Sequence, residues 1–270
     1  MSRAGYYAWR TRGESARRQQ DRKLLVRVRK EFCDSGGTYG SPRVQRALRA
    51  QGIAISRRRV ERLMREAELR GRVARVYRSK PGRRRLFEQH PNLLWREVAQ
   101  APGQIWVSDV TYVRVAGCWR FLATVMDQYS RRLLAWRVGR VRNGELTRAA
   151  LDQALRRAER RPRLIFHSDR GSEYAGATLS DRLRRLQVRQ SMTRGGAPGD
   201  NAHAESLFHT LKAELVHGKA FTHDDHLRRD LRRYVRFYNL KRLHSSLGYR
   251  SPVQVERDTR RLASRSSRAA

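Results

Sequence analysis

Hydrophobic residues follow two different periodicities along the chain, and the change falls near residue 100. Up to that point they recur every three or four residues, which predicts amphipathic helices. Beyond it, runs of β-branched and aromatic residues predict strands. The predicted helices of the first part span about 21–32, 42–51 and 57–69; the predicted strands of the second part span 105–113, 119–127, 133–138, 164–167 and 188–192, with helices at 144–160 and 178–186 between them.

The order of these elements predicts the fold class. Three strands at short spacing form an antiparallel meander, and the apolar run 164–167 is typical of a buried parallel strand. We therefore predict an α/β fold with a mixed sheet. The predicted regions are a basic helical region 1–73, a basic linker 74–102, an α/β core 103–218, a helical C-terminal extension 219–258 and a disordered tail 259–270.

The second and third N-terminal helices predict a helix-turn-helix. Ser41 is the expected N-cap, with Pro42 at the first helical position, and Gly52 ends this helix. Ser56 caps the next helix, whose first turn would contact DNA bases or phosphates. The candidate DNA-binding residues there are Arg57, Arg58 and Arg59. The alternative is an ordinary helical hairpin with a solvated basic face.

Positive charge dominates the composition. The chain has 61 Lys and Arg against 25 Asp and Glu, a net charge of +36, and six of the 61 are lysine. Such a body repels itself unless a polyanion neutralises it, and nucleic acid is the expected polyanion. The preference for arginine suits bidentate phosphate and guanine contacts, although a GC-rich genome gives the same preference. The charge excludes an ordinary enzyme of acidic metabolites with a neutral surface.

The charge is densest in the first 100 residues, which carry 27 basic and 9 acidic side chains. The linker contains a run of candidate DNA-binding residues, Arg83, Arg84 and Arg85, which would either follow a phosphate backbone or remain solvated. No apolar run is long enough to span a membrane, and the N-terminus lacks an apolar signal core. Cys33 and Cys118 are isolated, which favours a reducing, cytoplasmic compartment.

Three carboxylates stand where packing alone does not explain them. Asp109 lies inside an apolar strand, Asp169 ends the next buried strand, and Glu205 lies on the flank of a predicted helix. Carboxylate oxygens are the ligands that Mg²⁺ prefers, and two such ions catalyse in-line phosphoryl displacement. Lys212, seven residues after Glu205, shares its helix face and could hold a phosphate. The alternative for each acid is a helix cap or an ion pair with an arginine.

Other polar residues near these strands have simpler explanations. Asp127 ends the second strand, and we interpret it as structural because the following segment 130–132 offers hydrogen-bond and charge partners. His167 is either a group that orients a metal ligand or a packed strand histidine. The remaining candidate histidines show no metal-binding spacing and are expected at the surface or facing DNA: His203, His209, His223 and His226.

Three segments, 106–112, 167–174 and 200–206, resemble the catalytic blocks of the DDE transposase and retroviral-type integrase superfamily. The 35 residues between Asp169 and Glu205 match the spacing in that superfamily, and Lys212 matches its lysine. Within it the chain resembles the second-frame transposase of the insertion-sequence-three family. Segments 5–9, 37–43 and 59–64 are similar to its N-terminal region, and 237–252 to its C-terminal block.

This resemblance implies an RNase H-like core and a DDE-type polynucleotidyl transferase that cuts the ends of a bacterial insertion sequence and transfers the strand. It implies that Asp109, Asp169 and Glu205 are catalytic and bind two Mg²⁺ ions, with Mn²⁺ as a substitute, and that Lys212 binds DNA. The implied partners are the element ends and the target DNA. The implied assembly is a homo-oligomer on DNA in the bacterial nucleoid, with an upstream-frame protein or fusion.

Two features depart from the family pattern. Gly199 stands where relatives often have an aromatic residue, and the chain lacks the upstream helix-turn-helix and coiled coil of the longer fusion. Two other classes of function are weighed against the transposase. A non-catalytic relative, acting as a repressor or an inactive remnant, would be expected to lose at least one of the three acids. A ribosomal or RNA-packaging protein would need no carboxylates in buried strands.

Overall fold

The computed structural model describes residues 14–71, 90–95, 97–194 and 198–266, together with Arg3 and Tyr7. The chain divides into two compact units, Met1–Val73 and Ala74–Ala270. The arginines predicted to contact DNA from the linker, Arg83, Arg84 and Arg85, lie outside the described residues. Within the described ranges, none of the helices has the length and apolar character required to span a membrane.

Three helices in the described part of the N-terminal unit bury a small apolar core. They are α1 (Ala16–Asp34), α2 (Ser41–Ala50) and α3 (Arg57–Glu66). The buried side chains come from all three helices and recur at the helical spacing seen in the sequence: Val28, Val44, Leu48, Val60, Leu63 and Met64. Asp21 of α1 is nearly buried and accepts hydrogen bonds from Arg59 (2.7 Å) and Arg62 (2.5 Å) of α3. The ion pairs therefore join the first helix to the third.

The helix starts agree with the sequence at α3 and differ at α2. The Ser56 hydroxyl accepts the backbone N–H of Arg59, as predicted for an N-cap. The prediction for Ser41 is wrong, because Gly40 is the N-cap and Ser41 is already helical. The Ser41 hydroxyl instead donates to the Glu61 carboxylate at 3.1 Å. The acceptor is the Glu61 carboxylate, and a hydrogen bond to a charged carboxylate is stronger than the uncharged hydrogen bond of a helix N-cap.

The second unit is built on the predicted mixed sheet. Among the described residues of this unit, the sheet has five strands: β1 (Ile105–Val115), β2 (Cys118–Asp127), β3 (Leu133–Gly139), β4 (Ile165–Ser168) and β5 (Arg189–Met192). They lie in the order β3-β2-β1-β4-β5. The first three strands form the antiparallel meander, whereas β4 pairs in parallel with both β1 and β5.

Two apolar clusters cover the two faces of this sheet. Alternate residues of β1 enter different clusters, since side chains along a strand point to opposite faces. Val107 and Val113 pack with the later helices, whereas Trp106 and Val110 pack with the earlier ones. The earlier helices are α4 (Gly144–Arg157), α5 (Ser172–Ala175) and α6 (Ala177–Arg185); the later ones are α7 (Ala202–Leu211) and α8 (Asp224–Leu240), followed by α9 (Pro252–Ser266).

Two predicted region boundaries need correction. The described part of the predicted linker packs on the second unit: the Leu93 amide donates to Ser191, and Glu97 pairs with Arg189. The apolar residues Leu93, Leu94 and Ala99 pack against the core of the second unit. The described part of this segment therefore belongs to that unit and is not a linker. The predicted disordered tail from residue 259 is helical as far as Ser266, within α9. That segment has no glycine or proline to end the helix.

Candidate active site

The register of the parallel strands places two of the predicted carboxylates side by side. Ser108 of β1 is paired with Ser168 of β4, and this is the last pair of their ladder. Asp109 and Asp169 are therefore the next residues on two strands that lie about 4.8 Å apart. Asp109 continues along β1, opposite Thr124 of β2, with no β4 partner on its other side. The free edge opens a site at the carboxyl ends of the parallel strands.

The third predicted carboxylate lies on the helix that covers this face. Asp109 shares its side of β1 with Val107 and Val113, which pack in the cluster that includes Leu207 of α7. Glu205 lies in the first turn of α7 and is exposed. Partial burial nevertheless raises its pKa. Among the described residues, no three His, Cys, Asp or Glu side chains are grouped closely enough to hold a metal ion.

The two paired carboxylates are electrostatically costly in their ionised forms. Burial and the neighbouring charge of Asp169 raise the pKa of Asp109 to about 8. Burial and the charge of Glu173 raise the pKa of Asp169, against the opposing effect of Arg142. The Gly171 amide donates to Asp169 at 3.1 Å, which supports its ionised form. Ionising both of these neighbouring carboxyl groups is unfavourable unless a cation compensates their charge. The pair is therefore a candidate cation-binding site.

A basic residue that the sequence did not single out lies beside these acids. Arg142 contacts the buried carboxylate of Glu173 at 2.5 Å, and its guanidinium lies 3.7 Å from Asp169. Arg142 precedes the α4 N-cap Asn143, whereas Glu173 follows β4. The sequence offers no local signal for this contact, because Arg142 is one of many arginines. Glu173 stands within the motif 167–174 but lacked an assigned role.

His167 is a packed strand histidine with both ring nitrogens in hydrogen bonds. Burial lowers its pKa to about 4, so the ring is neutral and has one donor. Nε2 lies 3.1 Å from the Asp200 carbonyl, an acceptor, and Nδ1 lies 2.8 Å from the Ser191 hydroxyl. These partners assign the proton to Nε2, and the Ser191 hydroxyl donates to Nδ1. The ring thereby holds the turn before α7 against β4.

The same turn is fixed to β1 next to the carboxylate pair. The buried Asn201 side chain donates to the Ser108 carbonyl at 3.2 Å. Asp200 accepts from the Arg194 amide (2.8 Å) and from Asn92 (2.7 Å), and the hydrogen bonds of Arg194 lower its pKa. These contacts fix the start of α7 next to the last pair of the parallel ladder.

Asp127 has the structural role predicted for it. Its carboxylate is buried and accepts from the Gly103 amide (2.7 Å) and from the amide and hydroxyl of Ser130 (2.8 and 3.0 Å). Burial raises its pKa. These donors form hydrogen bonds with both carboxylate oxygens of Asp127, so Asp127 is not an alternative to Asp109 or Asp169 as a metal ligand. His203 is partly buried, which lowers its pKa to about 4, and the other predicted surface histidines are exposed or partly exposed.

Lys212 lies at the end of α7, where the helix widens into a π-helical turn (Lys212–Val216). Its ammonium group lies 4.6 Å from the centre of the Tyr112 ring. Burial lowers the pKa of Lys212, while the charge of Asp109 acts to raise it. In the same turn, Glu214 is buried and bonded to Arg242, with contacts of 2.8 to 3.1 Å. Single π-helical turns are frequent at functional sites.

The three arginines predicted to contact DNA from α3 have different surroundings. Arg57 pairs with Glu61 at 2.8 Å on the helix surface. Arg59 turns toward α1 and pairs with Asp21, which leaves its guanidinium only partly exposed. Arg58 is exposed. A role of these residues in DNA binding stays a prediction.

Sequence comparisons match both units to known families. Residues 19–77 match the HTH-like domain, and residues 99–198 and 186–252 match two families described as integrase core domain. The 31 kDa protein of insertion element IS600 from Shigella sonnei is 36% identical over 255 residues, 94% of each chain. The transposase InsF for insertion sequence IS3A from Escherichia coli K12 is 35% identical over 260 residues, 95% of this chain and 90% of its own.

A solved structure shares the fold. The simian T-cell lymphotropic virus intasome, solved in complex with the PP2A regulatory subunit B56 gamma, aligns with a TM-score of 0.50 and 16% identity. The alignment covers 78% of this chain and 70% of that one. The mixed five-stranded sheet and its helices therefore form an RNase H-like core of the kind found in integrases.

Proposed function

Because this chain belongs to the insertion-sequence-three (IS3) family of DNA transposases, we propose that it cuts and joins DNA at the ends of its element through Asp109, Asp169 and Glu205. The observation that carries this proposal is the Ser108–Ser168 register, which sets two carboxylates side by side at an open strand edge. Structural acids in this core, such as Asp127, have their oxygens satisfied by backbone donors. Asp109 accepts the Val110 amide and Asp169 accepts the Gly171 amide, and burial beside other carboxylates raises both pKa values, which a divalent cation would reverse.

The donor set fits Mg²⁺, with Mn²⁺ as a substitute. Asp109 and Asp169 offer hard oxygen ligands, and Glu205 lies on the helix tied to β1 through Asn201. The three carboxylates would hold the ions. When bound, the metal would supply charge neutralisation at the reacting phosphate and activation of the attacking oxygen.

The remaining groups of the site would position the DNA strand. Arg142 forms ion pairs with Glu173 and Asp169, and its positive charge offsets part of the negative charge of the site. These contacts would hold the carboxylates in position. Lys212 carries a positive charge beside Asp109, where it would bind a phosphate next to the one that is cut. Arg57 and Arg58 of the N-terminal unit would contact the element end.

The chemistry consists of two in-line displacements at phosphorus. Water attacks first, one P–O bond forms as another breaks, and the cut strand leaves with a 3′-hydroxyl. That hydroxyl then attacks a phosphodiester of the target, whose own 3′-oxygen leaves. In each step one P–O bond forms to the attacking oxygen, which loses a proton, as one P–O3′ bond breaks and the leaving oxygen takes up a proton. Neither a covalent enzyme intermediate nor an external energy source is therefore needed. A homo-oligomer, with an upstream-frame protein or fusion, would hold the element ends and the target together in the bacterial cytoplasm.

The test is a cleavage and strand-transfer assay on labelled element ends, with Mg²⁺ or Mn²⁺, with and without the upstream-frame protein. We expect nicked and joined products from the wild type. Asp109→Asn, Asp169→Asn and Glu205→Gln should each abolish both products. Asp181→Asn is the matched control, because Asp181 is an exposed carboxylate paired with Arg184 in the same unit. Full activity in all three site variants would refute the proposal.

A further inference from the structure

Two aromatic rings remain half exposed on the β1–β2 hairpin. Tyr112 is 54% exposed and Trp119 is 52% exposed. Their ring centres are 4.9 Å apart, and the rings meet edge to face at 82°. In the hairpin register Tyr112 lies opposite Phe121, and Trp119 lies opposite Arg114, so the two rings are diagonal neighbours on one face. Large aromatic rings that stay exposed in a matched pair form a surface ready to contact a ligand.

A cation lies over each ring. The Lys212 ammonium is 4.6 Å from the centre of Tyr112, and the Arg114 guanidinium is 5.5 Å from the centre of Trp119. Among the described residues, neither cation forms an ion pair with a carboxylate, although Arg114 donates to the Gly117 carbonyl. In the part of the chain that the structure describes, the aromatic pair is therefore bordered by two cations that are not in ion pairs.

This surface adjoins the carboxylate pair. Tyr112 follows Asp109 by three residues on the same strand, about 10 Å along it, and the two side chains point to opposite faces of the sheet. Both residues lie beyond Ser108, where β4 no longer covers the edge of β1. Lys212 lies between the aromatic pair and the carboxylate pair: its ammonium group contacts the Tyr112 ring, and the negative charge of Asp109 acts to raise its pKa. A strand whose phosphate lies at the carboxylates would reach these rings with a neighbouring base around this open edge of β1.

We propose that Tyr112 and Trp119 form a stacking platform for a base of the DNA strand beside the cut phosphate, with Arg114 and Lys212 on its backbone. This inference rests on the proposed transposase function. Stacking on an aromatic side chain contributes about 1–3 kcal/mol per base and tolerates any sequence. An acidic peptide would use the cations and leave the rings exposed. A second copy of the chain would bring like charges together.

The experiment measures binding of single-stranded element ends that carry 2-aminopurine at successive positions next to the cut. It uses the full chain with the Asp109→Asn change, so cleavage does not interfere. We expect quenching at one or two positions. Trp119→Leu should remove that quenching and weaken binding about 5- to 150-fold. Trp119→Phe should retain most of the binding, because it keeps an aromatic face. Trp119 is exposed, so neither change should unfold the hairpin.

Trp95→Leu is the matched control. Trp95 is an exposed tryptophan in the same unit, 66% exposed against 52% for Trp119, with Arg194 over its ring at 4.1 Å. Its loss should leave the quenched positions unchanged. Equal effects of Trp95→Leu and Trp119→Leu, or no effect of Trp119→Leu, would overturn the platform. So would tighter competition by an acidic peptide than by single-stranded DNA. If the wild type failed to cleave yet bound as described, the proposed function would fail while the platform stood.

Discussion

Replacing Arg242 with methionine tests how the C-terminal segment supports the end of α7. Arg242 and Glu214 are 5% and 3% exposed and are joined by hydrogen bonds of 2.8 to 3.1 Å. The Tyr234 hydroxyl also donates to Glu214 at 3.0 Å. Removing one member of a buried ion pair leaves a buried charge without its counterion, which costs about 3–5 kcal/mol. For a unit of this size, the melting temperature should fall by roughly 6–20 °C.

Thermal denaturation of the full chain, followed by circular dichroism, measures this loss. Adding Glu214→Gln to Arg242→Met removes the buried charge and keeps an acceptor for Tyr234, so the double variant should recover at least half of it. Arg250→Met is the matched control, since Arg250 pairs with Asp258 on the surface and should lose less than about 1 kcal/mol. A loss below 1 kcal/mol for Arg242→Met, or no recovery in the double variant, would refute the reasoning.

Three further outcomes follow from the charged groups. Without metal, the pKa of Asp109 is about 8 in the folded chain and near 3.8 in the unfolded chain. The free energy of unfolding should therefore decrease as the pH rises from about 3.8 to about 8. In chelator-treated melts, Asp109→Asn should remove that fall, and added Mg²⁺ should stabilise only the wild type. Arg142→Gln removes a cation that lowers the pKa of Asp169, so the rise of cleavage rate with pH should move to higher pH. Asp21→Asn should destabilise the N-terminal unit by about 1–3 kcal/mol in urea titrations, because it breaks the bonds to Arg59 and Arg62. Those bonds lower the pKa of Asp21, so its contribution should disappear as pH falls below 3.8.

The sequence predicted most of the elements because their signals are local. Runs of apolar, β-branched and aromatic residues marked most of the strands, and Ser56 marked the start of α3. Asp109 and Asp169 stood out because a carboxylate in or at the end of an apolar strand needs a compensating partner. Asp127 was recognised as structural from the residues that follow it, and its hydrogen bonds confirm this.

The remaining features depend on residues far apart in the chain. The register of Ser108 with Ser168 spans some 60 positions and leaves no trace in either segment alone. Arg142 contacts Glu173 only because α4 starts beside the end of β4. In a chain with so many arginines, the sequence does not indicate which of them forms this ion pair. The helical end of the chain and the packed part of the linker depend on neighbours that composition does not reveal.

The β1 strand keeps one register against two neighbours at once. It pairs with β2 from Trp106 to Val115 and with β4 from Ile105 to Ser108. Because side chains alternate, a slip by one position would turn the carboxylate of Asp109 to the opposite face of the sheet. Loss or gain of a single residue before Asp109 would therefore disable the site even in a chain that still folds. The turn at Gly117, beyond the last pair, can lengthen without moving that carboxylate. Length changes are thus expected to accumulate at the hairpin tip and to be excluded from the start of the strand.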